Sequence, residues 1–237
     1  MKIALGLILS LACVMFTAPA MAHDEPDFAS FKDVKEKKKA FFGFMHPFVD
    51  MENAALLKDR ERLIAFRKVP VKKLSSEDRA WIKKMAKNYQ TATPLVDAKA
   101  WDHLLRRVDA VPYPLVLAQS ANESAWGTSR FARQGHNFFG QWCFTKGCGI
   151  VPSRRDEGSK HEVAVFKSAQ HSVRAYLKNI NTGRVYAGLR KIRAKQRAAG
   201  EPLDASTLAG GLLKYSARGK AYVKEIRSMI RTNKKLM

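Results

Sequence analysis

Apolar positions recur with helical spacing along most of the chain and switch to a strand-like pattern in one short stretch. Between residues 34 and 66, Phe41, Phe44, Met45, Phe48, Leu56, Leu63 and Ile64 return at roughly three- and four-residue intervals, which predicts a helix with one buried side. Pro47 inside this run predicts a helix start or a kink. A second helix is expected over 76–89, capped by Ser75 or Ser76, with Trp81, Ile82 and Met85 facing inward. A third is expected over 99–109. Val111-Pro112-Tyr113-Pro114 then interrupts the chain, and 115–126 reads as a helix with Pro114 at its first position and Gly127 closing it. Leu115, Val116, Leu117, Ala118, Ala121 and Ala125 cover most of its circumference, so this helix is buried. Gln119, Asn122 and Glu123 must therefore be hydrogen-bonded inside the protein or open onto a cleft.

Over 141–167 Gly, Pro and Cys punctuate the short β-type runs Ile150-Val151 and Val163-Ala164-Val165-Phe166, with the turn composition Asp156-Glu157-Gly158-Ser159 between them. This predicts a small β-hairpin lobe. Helices resume over 168–180 with Ser168 as cap, over 184–199 ended by Gly200, over 204–213 and over 220–233. The expected fold class is mainly α with one β insertion. The helices of 23–94 show no chemistry of their own, and either pack on the remainder, 95–237, or space it from something else.

Residues 1–22 have the layout of an export signal: Lys2, an apolar stretch from Ile3 to Phe16, and the small-x-small site Ala20-Met21-Ala22 before polar His23-Asp24-Glu25. The stretch is shorter than the roughly 20 residues a membrane anchor needs, and Ser10-Leu11-Ala12 poorly matches the approach to a lipoprotein Cys13. No second long apolar run follows, so the expectation is a periplasmic protein with no integral membrane segment after signal removal.

The formal charge is +22, of which the leader carries only Lys2. Such a charge attracts anionic polymers. Export makes nucleic acid the wrong partner and points to cell-wall glycan-peptides, with peripheral attraction to anionic envelope surfaces. Any single basic cluster is equally explained as a solvated helix face. Removing the leader leaves Cys143 and Cys148, an even pair in an oxidising compartment, which suggests a local disulfide. No HExxH, CxxC or second Cys/His cluster supports a metal, and no cofactor is expected.

The stretch that carries chemistry is Gln119-Ser120-Ala121-Asn122-Glu123-Ser124-Ala125-Trp126-Gly127. Burial and the negative end of the helix dipole both disfavour a charged carboxyl at Glu123. A carboxyl still protonated near neutral pH can protonate a glycosidic oxygen as its bond breaks. A structural Glu bonded to backbone or Arg fits the same composition. Together with Asn137-Phe138-Phe139-Gly140 and Tyr215-Ser216, in that order, the segment resembles the bacterial glucosaminidase domain, glycoside hydrolase family 73. Most of the chain after the leader is similar to the exported Bax-like proteins of Gram-negative bacteria.

The resemblance implies a lysozyme-like helical domain over 95–237, cutting the β-1,4 bond of peptidoglycan glycan strands as an endo-β-N-acetylglucosaminidase. It implies that Glu123 is the general acid, that Asn137, Phe139 and Gly140 shape the cleft floor, and that Tyr215 lines the cleft near the scissile bond. Gln119, Trp126 and Trp142 are candidate substrate contacts, the two tryptophans equally candidates for packing. Phe138 and Tyr222 are expected to pack. For the second carboxylate, which the resemblance places in the β-lobe, the candidates are Asp156, Glu157 and Glu162. Glu162 is preferred because a strand positions a group better than a turn, and exposed Glu157 is kept as a substrate contact. His161, Arg154 and Arg155 lie nearby without a partner motif. The cysteine pair departs from the family pattern. Rival readings are a non-catalytic wall-binding protein, an amidase and a lytic transglycosylase.

Overall fold

The computed structural model describes residues 25–153, 155 and 158–237. The expected leader, Arg154, Asp156 and Glu157 lie outside them. Helix α1 (Val34–Arg67) is capped by the Asp33 carboxylate, which accepts from the Glu36 N–H. It runs unbroken through Pro47, against the expected start or kink. Pro47 and Gly43, four residues earlier, both face solvent, so water can take the carbonyl that loses its partner. The packing of Phe41, Phe42, Phe44, Met45, Phe48 and Val49, all buried, holds the helix across the defect. Helix α2 (Ser76–Asn88) starts at the Ser75 cap, and α3 (Ala100–Arg107) follows.

Helix α4 (Tyr113–Glu123) buries every residue from Leu115 to Ala121. It stops three residues short of the expected end, because Ala125, Trp126 and Gly127 all take positive φ. The Ser124 hydroxyl ties this reversal together, donating to the Ser120 carbonyl at 2.6 Å and accepting from the Gly127 N–H at 2.8 Å. A side chain at Gly127 would strike the Phe28 ring at 2.2 Å. The Glu-Ser-x-Trp-Gly sequence is therefore a helix stop that leaves Glu123 as the last helical residue. Helix α5 (Arg130–Gly135) follows.

The β-lobe has three strands: β1 (Trp142–Cys143), β2 (Gly149–Ile150) and β3 (Glu162–Ala164), in the order β1-β3-β2 with both pairings antiparallel. The expected hairpin is the β2–β3 pair, where Ile150 faces Val163. The extra edge strand β1 is two residues long, too short for a period to register in the sequence. Cys143 and Cys148 form a disulfide across the β1–β2 connection. A loop this short is worth about 2 kcal/mol by chain entropy. Reducing it is expected to leave far-ultraviolet circular dichroism unchanged while amide exchange accelerates over residues 144–150; equal exchange in both redox states would contradict this.

Helices α6 (Ala169–Thr182), α7 (Ala187–Ala198), α8 (Ala205–Ala209) and α9 (Lys220–Asn233) complete the described chain. Ser168 caps α6 as expected. One core joins Phe28 and the first half of α1 to α4, α6, α8 and α9. A second joins Leu63 to α2 and α3. The N-terminal helix is thus built into the main core, which decides between the two expectations for it. Between the clusters sits Asp109, 2% exposed, facing Arg197 at 2.8 Å, Arg60 at 3.6 Å and Arg193 at 3.7 Å.

Candidate active site

Glu123 is partly exposed at the C-terminal end of α4. Its Oε1 accepts from the Tyr222 hydroxyl at 2.8 Å and from Asn122 Nδ2 at 3.3 Å. A Cβ at Gly140 would lie 4.0 Å from Oε2, so the open, positive-φ glycine of the Asn-Phe-Phe-Gly turn leaves room at that oxygen. Burial raises the Glu123 pKa above the ordinary carboxylate value; the Tyr222 and Asn122 hydrogen bonds oppose it, the Glu225 charge adds to it and the Arg218 charge opposes it. Arg218 itself bonds Glu225 at 2.7 Å. Neither donor to the carboxyl is a cation.

Behind Glu123 runs a chain of three hydrogen bonds with one direction. The Tyr176 hydroxyl donates to Gln119 Oε1 at 2.5 Å, Gln119 Nε2 donates to the Tyr222 hydroxyl at 2.9 Å, and Tyr222 donates to Glu123. Gln119, Tyr176 and Tyr222 are at most 2% exposed. Burial drives the Tyr222 phenol far above its usual pKa, and the Glu123 charge does the same. Tyr222 therefore keeps its proton and is a fixed hydrogen-bond donor to the Glu123 carboxyl.

These contacts change the expectations for several residues. Gln119, a candidate substrate contact, has no exposed surface and is an internal link. Asn137 uses its whole amide inside the turn, donating to the Gln141 and Ala164 carbonyls and accepting from the Phe139 and Gln141 N–H groups. Phe139 is buried and stacks on Tyr176 at 4.1 Å. Both side chains are buried rather than presented to a ligand. Trp126 packs edge-on against Phe41 and Phe42, with Lys38 over its ring. Tyr215 donates to the Phe139 carbonyl at 3.1 Å and stacks on Tyr222 at 5.2 Å, so it supports the tyrosine that touches Glu123.

Glu162, expected as the second reacting carboxylate, is held by the loop that begins the β-lobe. Its Oε1 accepts from the Gly147 N–H at 3.0 Å and its Oε2 from the Gly149 N–H at 2.8 Å, which hold its pKa below the ordinary value. Both oxygens are engaged by the β1–β2 connection. Trp142 is exposed on β1, with His161 stacked behind its indole at 4.1 Å. Glu157 falls outside the described residues.

Tyr222, expected to pack, and Tyr176 are the participants that sequence reasoning missed. Both occupy apolar positions of their helices, so their patterns match any core aromatic. The available signal was Gln119: a buried amide on an all-apolar helix requires polar partners from elsewhere, and a tyrosine hydroxyl is the polar group an otherwise apolar ring can bring. Two roomy cavities, of about 840 Å³ beside Tyr113, Leu203 and Ile230 and about 670 Å³ between α3 and α7, lie away from this cluster and are not lined by Glu123.

Tyr222→Phe is expected to lower turnover roughly ten- to a hundredfold, the range for one hydrogen bond to a charged group. Because the Tyr222 bond lowers the Glu123 pKa, its loss is expected to move the alkaline limb of the activity profile to higher pH. An unshifted profile in the variant would contradict the arrangement.

A model of the family described as mannosyl-glycoprotein endo-beta-N-acetylglucosaminidase matches residues 98–235. Protein bax of Escherichia coli (strain K12) is 34% identical over 219 residues, covering 92% of this chain and 77% of that protein. No solved structure matches the chain. The matched span begins just before α3 and takes in the β-lobe as well as α4, the turn at Gly140 and α9, which supply the groups against Glu123. The chain belongs to the glucosaminidase family.

Proposed function

We propose that this protein is an exported peptidoglycan hydrolase that cuts the β-1,4 bond following N-acetylglucosamine, with Glu123 as the general acid. The observation that carries this reading is a carboxyl at a buried helix end, with raised pKa, neutral hydrogen-bond donors on one oxygen and room at the other. Glu123 protonates the leaving glycosidic oxygen, and Tyr222 then stabilises the resulting carboxylate. With Glu162 engaged by loop amides, the anomeric carbon is attacked by water, or by the substrate's N-acetyl oxygen and then by water, and the proton that water loses returns to the Glu123 carboxylate. Asp156 and Glu157 are the alternatives for a second carboxylate: about 5–5.5 Å from Glu123 gives retention and about 6.5–9.5 Å gives inversion.

The substrate in this reading lies against the Oε2 side of Glu123, beside the open Gly140 turn. The disulfide and the leader-like residues 1–22 both fit the periplasm. None of the described helices is long and apolar enough to cross a membrane. The basic surface would gather the protein on its anionic polymer.

Product analysis on purified peptidoglycan tests the reading. New reducing ends terminating in N-acetylglucosamine are expected. Anhydro-muramic ends would make it a lytic transglycosylase, free amino groups an amidase, and binding without release a wall-binding protein.

A further inference from the structure

We propose that the disulfide-closed connection between β1 and β2 is a rigid aromatic platform on which Phe144, together with Trp142, stacks against the sugar rings of an extended β-1,4 glycan. The substrate class rests on the function proposed above; the platform itself rests on the geometry of the lobe.

Residues 144–148 are fastened in several independent ways. The Cys143–Cys148 disulfide closes them. The Glu162 carboxylate reaches up from β3 to the N–H groups of Gly147 and Gly149. The Cys148 N–H donates to the Thr145 carbonyl at 3.0 Å. Gly149 passes so close to β3 that a Cβ there would lie 2.0 Å from the Val163 carbonyl oxygen. Yet the ring that this braced loop carries is 73% exposed at Phe144, and the indole two residues earlier is 59% exposed at Trp142. A braced backbone beneath open aromatic faces is preorganisation for a ligand, since little loop freedom is left to lose on binding. His161 backs one face of the Trp142 indole at 4.1 Å.

Position and size select the ligand. Trp142 lies two residues after Gly140, so its Cα is within about 7 Å of the glycine beside Glu123. Phe144 follows the last residue of β1 directly and stands at the start of the disulfide-closed loop. Two aromatic side chains bury about 150–250 Å² each, well short of the roughly 800 Å² per partner of a stable protein interface. They suit a pair of sugar rings, whose apolar C–H faces pack on aromatic faces. The platform would then extend the substrate site past the reacting bond and hold the strand on one side of it.

The test measures binding of the uncharged β-1,4-linked N-acetylglucosamine hexamer by calorimetry, in Glu123→Gln protein so that nothing is cleaved. Salt at about 1 M, where charge effects reach only about 3 Å, removes attraction to the basic surface. Phe144→Ala and Phe144→Leu are each expected to weaken binding about tenfold, as for loss of an anchoring aromatic. Phe144→Trp is expected to keep it, and the paired Cys143→Ala, Cys148→Ala variant to weaken it by loosening the loop. Full affinity in Phe144→Leu would overturn the platform, since bulk without an aromatic face would then suffice. Phe144-dependent binding by a protein whose unmutated form releases no reducing ends would sink the hydrolase reading and keep the platform. Cleavage by the unmutated form with binding indifferent to Phe144 would sink the platform alone.

Discussion

Glu123→Gln is expected to lower release of reducing ends from peptidoglycan by at least about 100-fold, the lower end of what a positioned general acid contributes. Gln keeps the size of the side chain and can still accept from Tyr222, but it has no proton of the required acidity to give. The same substitution is expected to stabilise the fold at pH above the folded pKa of Glu123. The folded pKa of Glu123 is raised by burial, so its contribution to stability is present in full below the ordinary carboxylate value and is lost as pH rises through the folded value. Above the folded pKa the ionised Glu123 is then a cost that Gln removes; below the ordinary carboxylate value the two proteins converge. A series of denaturant titrations from acid to alkaline pH reads this difference. Undiminished activity would remove Glu123 from its role. Since the acid form is the working form, activity is also expected to decline on the alkaline side of a pKa above the usual carboxylate range.

The largest stability effect is expected at Asp109. Asp109→Ala takes the only carboxylate from among Arg60, Arg193 and Arg197 in this cluster. Arg193 is 1% exposed and already has its pKa pushed down to about 10, chiefly by burial, with Asp109 opposing that. Without Asp109 its charge keeps hydrogen bonds to the carbonyls of residues 106, 109 and 110 and to Asn181 Oδ1, but no counter-ion. Breaking a buried pair from one side costs about 3–5 kcal/mol, a large part of the stability of an ordinary domain. An unfolding free energy lowered by less than about 1 kcal/mol in denaturant titration would show that the carbonyls alone satisfy these arginines. Asp109 lies just ahead of Val111 and α4, so activity is expected to fall in this variant through loss of folded protein, with turnover per folded molecule kept.

Local signals in the sequence were strong where one segment contains its own cause. Ser75 and Ser168 cap their helices because a hydroxyl three residues ahead of a free N–H is a local arrangement. Helix α9 has its expected bounds because its apolar positions keep one face over fourteen residues. The carboxyl at position 123 was legible as a candidate because an all-apolar helix ends on it. Pro47 misled because the force holding α1 straight comes from other helices. The strand β1 was missed because a two-residue strand exists only through its pairing with β3.

By itself, then, the sequence determined a mainly helical chain with a β-lobe, a cysteine pair and one conspicuous carboxyl at the end of a buried helix. Which groups surround that carboxyl was decided by the tertiary structure alone. Tyr176 and Tyr222 lie 57 and 103 residues from Gln119, and both oxygens of Glu162 meet amides of residues 147 and 149. Hydrogen bonds of this kind are settled by which surfaces the packed helices bring within about 3 Å of each other, and no periodicity along the chain carries that distance.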